Sequence, residues 1–281
     1  MGRKPQLLVG LDIGSSKVVS VVGEADIDGV KIAGFGSARC EDGLRKGVVA
    51  NIESTVHAIS SAVREAEVSA GCEIHSVCAS IDGAHLKGFN SHGLVPVKTR
   101  EVSRTDVERV FDAARAVALP MGQDILHAIP QEFIVDGQDG IHEPLGMAGV
   151  RLEARVHVVT TSIAAAQNVI KCCERAGLHI TDLILAPLAS AQAVLNAEEK
   201  ELGTAVIDIG AGTTGIAAFT DGAIKHSSVL PIGGNHVSSD VAAGLHTAIR
   251  EAERIKCRFG SALAVAVPPE EIFEVATLGG R

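Results

Sequence analysis

Two short stretches of the sequence combine an aspartate, glycine and hydroxyl side chains at the end of an apolar segment. The first is Asp12-Ile13-Gly14-Ser15-Ser16-Lys17, and the second is Asp208-Ile209-Gly210-Ala211-Gly212-Thr213-Thr214. Glycines in such a turn allow several backbone N–H groups to point towards one anion, which is a common way to bind phosphate. A carboxylate at the strand end is suited to hold hydrated Mg²⁺ against that phosphate. Both stretches therefore predict phosphate contacts, with Asp12 and Asp208 as the metal-binding residues.

Each stretch lies between two apolar segments, and this pattern predicts a β-hairpin with a glycine turn. The apolar run that ends at Ile209 predicts a strand covered on both faces, followed by a strand over residues 216–219. One such hairpin is weak evidence, because glycine turns are also common in purely structural hairpins. The two aspartates lie 208 − 12 = 196 residues apart, which is too far for a solenoid repeat. The duplication predicts two similar lobes that hold one nucleotide and its metal between them.

The composition limits the classes of protein to consider. A chain of 281 residues that is 46% hydrophobic can form about two domains. The net charge of −9 and the absence of Trp and Tyr argue against a nucleic-acid partner. Six cysteines without a CxxC pair predict free thiols in a reducing compartment. The N-terminus has no signal-peptide pattern and no run has the ~18 apolar residues of a membrane span, so we expect a cytoplasmic protein.

The remaining pattern predicts alternating strands and helices around the two hairpins. Ser103 and Asp106 have the spacing of a helix capping box, and Gly71 is placed to end a long helix. The predicted helices cover residues 52–69, 103–119, 163–176, 188–196, 236–243 and 247–258. Strands are predicted over residues 30–37, 77–81, 93–98, 125–135, 154–160, 180–185 and 223–229, in addition to the hairpins.

The paired hairpins resemble those of the actin, Hsp70 and sugar-kinase superfamily of ATP-binding proteins. Within it, the chain resembles the FtsA family of bacterial cell-division proteins over essentially all its residues. The resemblance depends on eight short motifs. Most of them are common when taken singly, but their combination in this order is specific to the family. They are residues 10–17, Pro130-Gln131-Glu132-Phe133, Ala189-Ser190-Ala191, Leu202-Gly203-Thr204, residues 206–210, Pro231-Ile232-Gly233-Gly234-Asn235, Ser239-Asp240 and Ala252-Glu253-Arg254-Ile255-Lys256.

The resemblance implies an α/β, actin-like (ribonuclease H-like) two-lobe fold with duplicated phosphate hairpins and an inserted α+β subdomain. Residues 1–84 and 161–200 would form the first lobe, and residues 85–160 the inserted subdomain, which corresponds to subdomain 1C of the family. Residues 201–237 would form the core of the second lobe. Residues 238–281 would form part of its upper subdomain.

The resemblance also implies an adenosine site next to the second hairpin. Glu253 and Lys256 stand three residues apart and so share one helix face. By themselves they indicate an ordinary surface ion pair, but in the family the matching pair contacts ribose or base. Gly233, Gly234 and Asn235 would complete this part of the site, because glycine lets the backbone approach the nucleotide closely.

ATP and Mg²⁺ are the cofactors that the resemblance implies, and cell division is the function. Members self-associate into filaments and link the FtsZ ring to the cytoplasmic side of the inner membrane at the septum. Residues from about 238 onward would bind the FtsZ C-terminal tail, and the inserted subdomain would contact later division proteins. Membrane contact is expected only through a C-terminal amphipathic helix that these 281 residues do not contain, since family members continue for about another third of their length.

A second hypothesis is a small-molecule kinase or another ATP-hydrolysing enzyme of the superfamily. A kinase needs a carboxylate acting as general base beside the γ-phosphate, and no unassigned Asp or Glu in a glycine-rich context plainly meets this need. Several ATP-hydrolysing relatives have Glu before the proline at Ala186-Pro187. Alanine there predicts weak or absent hydrolysis, so no catalytic residue is expected. An Hsp70-like chaperone would need a peptide-binding domain for which the chain is too short.

Overall fold

The computed structural model describes residues 6–27, 29–268, 270 and 272–276. Residues 269, 271 and 277–281, which the sequence assigns to the upper second lobe, lie outside this description. The strands are β1 (Gln6–Ile13), β2 (Lys17–Asp26), β3 (Gly29–Arg39), β4 (Leu44–Arg45), β5 (Val48–Val49), β6 (Ser76–Ile81), β7 (Lys87–Pro96), β8 (Gln123–Val135), β9 (Gln138–Ile141), β10 (Arg151–Ser162), β11 (His179–Leu185), β12 (Thr204–Ile209), β13 (Thr214–Thr220) and β14 (Ala223–Leu230). The helices are α1 (Ile52–Ala70), α2 (Arg104–Arg115), α3 (Ile163–Arg175), α4 (Ala186–Val194), α5 (Ala197–Leu202), α6 (Gly234–Leu245) and α7 (Ile249–Phe259).

The first sheet has five strands in the order β11-β6-β1-β2-β3. β1, β2 and β3 are antiparallel neighbours, whereas β6 and β11 run parallel to β1. Helix α1 crosses this sheet with a stripe of buried residues that includes Ala58, Ile59 and Ala62. Gly36 allows the close approach, because a β-carbon there would lie 2.0 Å from the Ala62 carbonyl oxygen. The sheet therefore holds β1 and its C-terminal turn on a rigid base.

The caps of the helices follow the sequence signals. The Asn51 side chain accepts a hydrogen bond from the Ser54 N–H, and Gly71 ends α1 in the left-handed region at φ 67°. The predicted capping box of α2 is confirmed, since Ser103 and Asp106 each accept a hydrogen bond from the other's backbone N–H. None of the helices that the structure describes is long and apolar enough to cross a membrane.

The second sheet has seven strands in the order β12-β13-β14-β7-β10-β8-β9. Its strands come from two regions that the sequence assigns to different domains: the second hairpin and the inserted subdomain. The two regions meet at a single backbone pair, Ser228 with Lys87. Each region has its own apolar cluster, the larger one around Leu152 and Val110 and the smaller one around Ala217 and Ile224.

Strand β12 differs from its prediction. It lies at the end of the sheet order and has a neighbour on one side only, β13. Its burial alternates, and Ile207 and Ile209 are 60% and 72% exposed. The expectation of a strand covered on both faces is therefore wrong for the described residues. An apolar run does not distinguish a strand covered on both faces from an edge strand that is covered on one.

A buried polar network connects the two halves of the seven-stranded sheet. His157 on β10 is fully buried, with Nδ1 2.7 Å from the Asn90 side-chain oxygen and Nε2 2.8 Å from the Ser227 hydroxyl. Because an amide oxygen only accepts, Nδ1 carries the proton and Nε2 accepts from Ser227. Gln131 on β8 donates to the Ile224 carbonyl oxygen at 2.6 Å. These bonds join β14 to the inserted subdomain where the backbone ladder provides only one pair.

We predict that His157 makes stability depend on pH. Burial, with a smaller effect of nearby His226, lowers the pKa of His157 to about 4. The folded state binds the proton less well than the unfolded chain, so stability is full above about pH 6.5 and falls as the pH drops towards 4. Between pH 7.5 and 5 the parent should lose about 2 kcal/mol of unfolding free energy through this group.

Urea unfolding of the parent and of His157→Gln at the two pH values measures this effect. The variant should be less stable at pH 7.5 but should lose much less on acidification, since the glutamine does not titrate. An equal loss in both proteins would contradict the role assigned to His157.

Candidate nucleotide-binding site

The two hairpin turns have the same local geometry, as the duplication predicts. We name residues 14–17 the first tip and residues 210–213 the second tip. In the first tip the Gly14 N–H donates to the Lys17 carbonyl oxygen at 3.0 Å, and in the second the Gly210 N–H donates to that of Thr213 at 2.9 Å. Ile13 pairs with Val18 as Ile209 pairs with Thr214, so the register of the two hairpins also matches. The sequence repeat is therefore a structural repeat.

A serine hydroxyl fixes the aspartate in front of each tip. Ser80 at the C-terminal end of β6 donates to Asp12 Oδ1 at 2.6 Å. Ser190 on α4 donates to Asp208 Oδ2 at 2.6 Å. Each bond uses one carboxylate oxygen and leaves the other available to a hydrated cation. The two aspartates are thus oriented by equivalent contacts from different elements.

The two tips lie against each other and enclose one cavity. A β-carbon at Gly212 would lie 2.6 Å from the Ser15 hydroxyl oxygen and 3.0 Å from Ser15 Cβ, so the tips are in close contact here and a side chain at Gly212 would require Ser15 to shift. The cavity measures about 280 Å³. Its lining consists of residues 12–17, Asp82, Ala186, Pro187, residues 208–213 and Gly215. Of the residues predicted to contact phosphate or metal, all but Thr214 line this cavity.

Thr214 lies outside the lining. Its hydroxyl donates to the Ile232 carbonyl oxygen at 2.7 Å. This bond holds the loop that precedes α6 against the second hairpin. Thr214 thus supports the loop of the predicted adenosine residues, whereas the neighbouring Thr213 lines the cavity.

Asp82 is a third carboxylate at the cavity, and it is not among the residues predicted from the sequence. It follows β6 directly, and its Oδ2 accepts a hydrogen bond from the Thr213 hydroxyl across the gap between the lobes. Burial raises the pKa of Asp82, and the nearby Asp208 and Asp12 raise it further, although the bonds from Thr213 and Gly83 act in the opposite direction. The sequence did contain a signal for Asp82. In Ser80-Ile81-Asp82-Gly83, an aspartate and a glycine follow at the end of an apolar strand, as they do at the two hairpins.

The short hairpin of β4 and β5, which the sequence did not predict, lies beside the first tip. Its turn consists of Lys46 and Gly47, both with positive φ, of 54° and 77°. The Gly47 N–H donates to the Ser15 hydroxyl at 3.4 Å. A β-carbon on Gly47 would lie 2.7 Å from Gly83 Cα, so this turn packs tightly on the Asp82-Gly83 segment.

The predicted adenosine residues lie beside the second tip. The Gly234 N–H donates to the Gly210 carbonyl oxygen at 2.9 Å, and the Asn235 N–H donates to that of Ala211 at 2.8 Å. On α7, Lys256 Nζ lies 2.6 Å from Glu253 and also donates to the Gly234 carbonyl oxygen at 3.1 Å. The lysine holds the pKa of the Glu253 carboxyl below its usual range, with help from the Ser238 hydroxyl.

A second cavity of about 710 Å³ adjoins these residues and reaches from Ser15 and Ser16 to Asn235 and Glu253. Ser15 lines both cavities, and Asn235 and Glu253 are the predicted adenosine residues that line the second one. The second cavity therefore extends from the first tip to α7.

The donor set around the first cavity fits Mg²⁺ coordinated mainly by water and phosphate. In the part of the chain that the structure describes, no three His, Cys, Asp or Glu side chains form a complete metal-ligand set. Mg²⁺ usually keeps several waters and takes one or two carboxylates together with substrate phosphates. Asp12 and Asp208, each with a free oxygen, match this chemistry.

Solved structures with similar architecture define the fold class. The PilM–PilN type IV pilus biogenesis complex matches with a TM-score of 0.67 at 20% identity, over 90% of this chain and 70% of that chain. The ethanolamine utilization protein EutJ of Carboxydothermus hydrogenoformans matches with a TM-score of 0.53 at 19% identity, over 92% and 63%. With the duplicated hairpins and the inserted subdomain, these matches define an actin-like, two-lobe α/β fold, as expected from the sequence.

Sequence comparison then gives the family. The family model "SHS2 domain inserted in FTSA" matches residues 83–160, and the model "Cell division protein FtsA" matches residues 205–281. The cell-division proteins FtsA of Pseudomonas aeruginosa and Neisseria meningitidis are 51% and 45% identical over 98% and 100% of this chain, and 66% and 68% of their own lengths. FtsA of Escherichia coli K12 is 44% identical over 98% of this chain and 66% of its own length. The chain belongs to the FtsA family and spans about two thirds of the length of these relatives.

We predict that Gly233 is required for the close packing of the loop before α6 on the second tip. A β-carbon there would lie 2.5 Å from the Gly210 carbonyl oxygen and 2.8 Å from that of Ala211, which are backbone atoms that cannot move aside separately. Gly233→Ala should lower the unfolding free energy by about 1–3 kcal/mol.

Gly244→Ala, within α6, is the matched control, because outside the backbone of its own helix no atom of the described residues lies within 4 Å of its added β-carbon. The control should be neutral or stabilising by up to about 1 kcal/mol, since alanine favours helix over glycine. Urea unfolding measures the stability of the three proteins. If the parent and Gly233→Ala are equally stable, the loop accommodates the added methyl group and the prediction is wrong.

Proposed function

We propose that this protein binds Mg·ATP between its two lobes and acts in bacterial cell division. The observation that carries the proposal is the repeated arrangement of a glycine tip and a serine-bound aspartate on both sides of one cavity. Two such tips present backbone N–H groups and hydroxyls to a polyphosphate from opposite sides. Membership of the FtsA family supports the cellular role.

Each residue predicted from the sequence to contact the nucleotide or its metal has a role in this proposal. The first tip, with Ser15, Ser16 and Lys17, and the second tip would hold the phosphates. Asp12 and Asp208 would hold Mg²⁺ through its bound waters, and the metal would neutralise the charge of the phosphates. Gly233, Gly234, Asn235, Glu253 and Lys256 would contact the adenosine, while Thr214 supports their loop.

We propose that ATP hydrolysis is weak or absent. Ala186 and Pro187 line the cavity at the N-terminus of α4, where the resemblance led us to expect glutamate in an efficient ATPase. A methyl group cannot position water or metal. Asp82 is an additional carboxylate in the lining of this cavity, but its Oδ2 accepts a hydrogen bond from the Thr213 hydroxyl. Nucleotide occupancy would therefore act mainly as a structural signal.

The cell-division role extends to partners. We propose that the protein self-associates into filaments, binds the C-terminal tail of FtsZ through residues from about 238 onward, and contacts later division proteins through residues 85–160. We further propose that it acts peripherally at the cytoplasmic side of the inner membrane at the septum, through a C-terminal helix outside these 281 residues. The domain division given above, with lobes at 1–84 plus 161–200 and at 201–281, is part of the same proposal.

We predict that Asp208→Asn weakens Mg·ATP binding about 10–100-fold, the range typical for residues that orient the bound waters of a metal. The amide keeps the size of the side chain and can still accept from Ser190, so the fold should be unaffected. Isothermal titration calorimetry with Mg·ATP measures the affinity.

Asp139→Asn makes the same chemical change on the exposed β9 strand and should leave the affinity unchanged. Parent-like affinity of Asp208→Asn would overturn the metal role of Asp208.

ATP-dependent sedimentation of the parent tests whether the protein forms filaments. If the protein instead phosphorylates a sugar with ATP in a coupled assay, this would favour the kinase hypothesis.

A further inference from the structure

We propose that Asp82 makes nucleotide binding depend on the metal, by repelling a metal-free polyphosphate and by retaining the hydroxyl donor of Thr213. The inference rests on the proposed function, because it concerns the same cavity. Asp82 would be a specificity-determining residue of the site: it admits a phosphate chain whose charge Mg²⁺ has neutralised and disfavours the free anion.

The first argument is the hydrogen bond between the lobes. The Thr213 hydroxyl has one proton, and it donates this proton to Asp82 Oδ2. A phosphate at the second tip can receive the Thr213 hydrogen bond only if this bond breaks. Asp82 and phosphate therefore compete for the same donor.

The second argument is the charge around Asp82. Its other oxygen, Oδ1, is buried and has no hydrogen-bond partner among the residues that the structure describes. Asp12 and Asp208 line the same cavity, and of the cavity's lining only Lys17 is a cation. Three carboxylates in a cavity of about 280 Å³ create a negative potential that opposes a bare triphosphate. A divalent cation offsets this repulsion.

The surroundings of Asp82 also restrict movement of its carboxylate away from the cavity. Gly47 packs against its carbonyl carbon, where an added β-carbon would lie 2.8 Å away. The Leu86 N–H donates to the Gly83 carbonyl oxygen at 3.1 Å and closes a turn directly after Asp82. The backbone is thus held on both sides, and Oδ1 of the side chain is itself buried, so we expect the carboxylate to remain at the cavity when a ligand enters.

The test compares ATP affinity with excess Mg²⁺ and with EDTA by calorimetry, in the full chain and in three variants. Asp82→Asn removes the charge and keeps an acceptor for Thr213. We expect it to raise the metal-free affinity about tenfold, the effect of removing one charge near a polyphosphate at intermediate dielectric. The ratio of the affinities with and without Mg²⁺ should fall by a similar factor.

Thr213→Val separates the charge of Asp82 from its hydrogen bond. It removes the hydrogen bond between the lobes, which Asp82→Asn keeps, but leaves the carboxylate, so it should weaken binding in both conditions and should not raise the metal-free affinity. Asp139→Asn should have the same ATP affinity as the parent in both conditions. Asp82→Ser, which is neutral and shorter, replaces Asp82→Asn if thermal melting shows that the asparagine variant does not fold.

Two results would overturn the inference, and they are distinguishable. If the parent binds Mg·ATP and Asp82→Asn keeps the parent's ratio within about twofold, well below the tenfold expected for one charge, the role of Asp82 is wrong and the proposed function stands. If the parent binds ATP in neither condition, the proposed function fails and the inference fails with it.

Discussion

The contact between the two glycine tips is the constraint on which the rest of the site depends. Ser15 and Gly212 meet so closely that a β-carbon at Gly212 would require Ser15 to shift, and the Thr213 hydroxyl donates a hydrogen bond to Asp82 beside this contact. Few apolar residues take part, so the contact is set by shape and by hydrogen bonds rather than by hydrophobic area. The two tips are therefore close enough to enclose a phosphate chain. Because their contact is small, they can also separate to admit one.

The two lobes support this contact in different ways. The first lobe presents its tip from a five-stranded sheet that is covered by α1 and α3 and has the largest apolar cluster of the described residues. The second tip stands on three strands with a small cluster, and the His157 network ties these strands to the inserted subdomain. A change in that network therefore has a direct path to the second tip through β14 and β13. Asp82 provides another connection, because it precedes β7, the first strand of the subdomain.

The sequence predicted most of the elements, and its misses have physical causes. Periodicity and caps located α1 and α2 because a buried stripe and end residues are local properties. The exposed face of β12 was missed because strand burial depends on what packs against it, which is not a local property. Helix α5 was not predicted because it is short and has no buried stripe, although its capping residues Asn196 and Glu199 were visible. The site was found through its repeat, while Asp82, Ser80, Ser190 and Gly47 were missed because their roles arise from contacts between segments far apart in sequence.

Titration calorimetry of the 281-residue chain with ATP, in excess Mg²⁺ and then in EDTA, tests the central claim most directly. Intrinsic fluorescence is of little use here, because the chain has no Trp or Tyr. We predict one nucleotide per chain and markedly weaker binding without the metal, since both tips and both aspartates would act on the same polyphosphate. Binding that is independent of Mg²⁺, or the absence of binding in both conditions, would contradict the claim that the paired hairpins form a metal-assisted phosphate clamp.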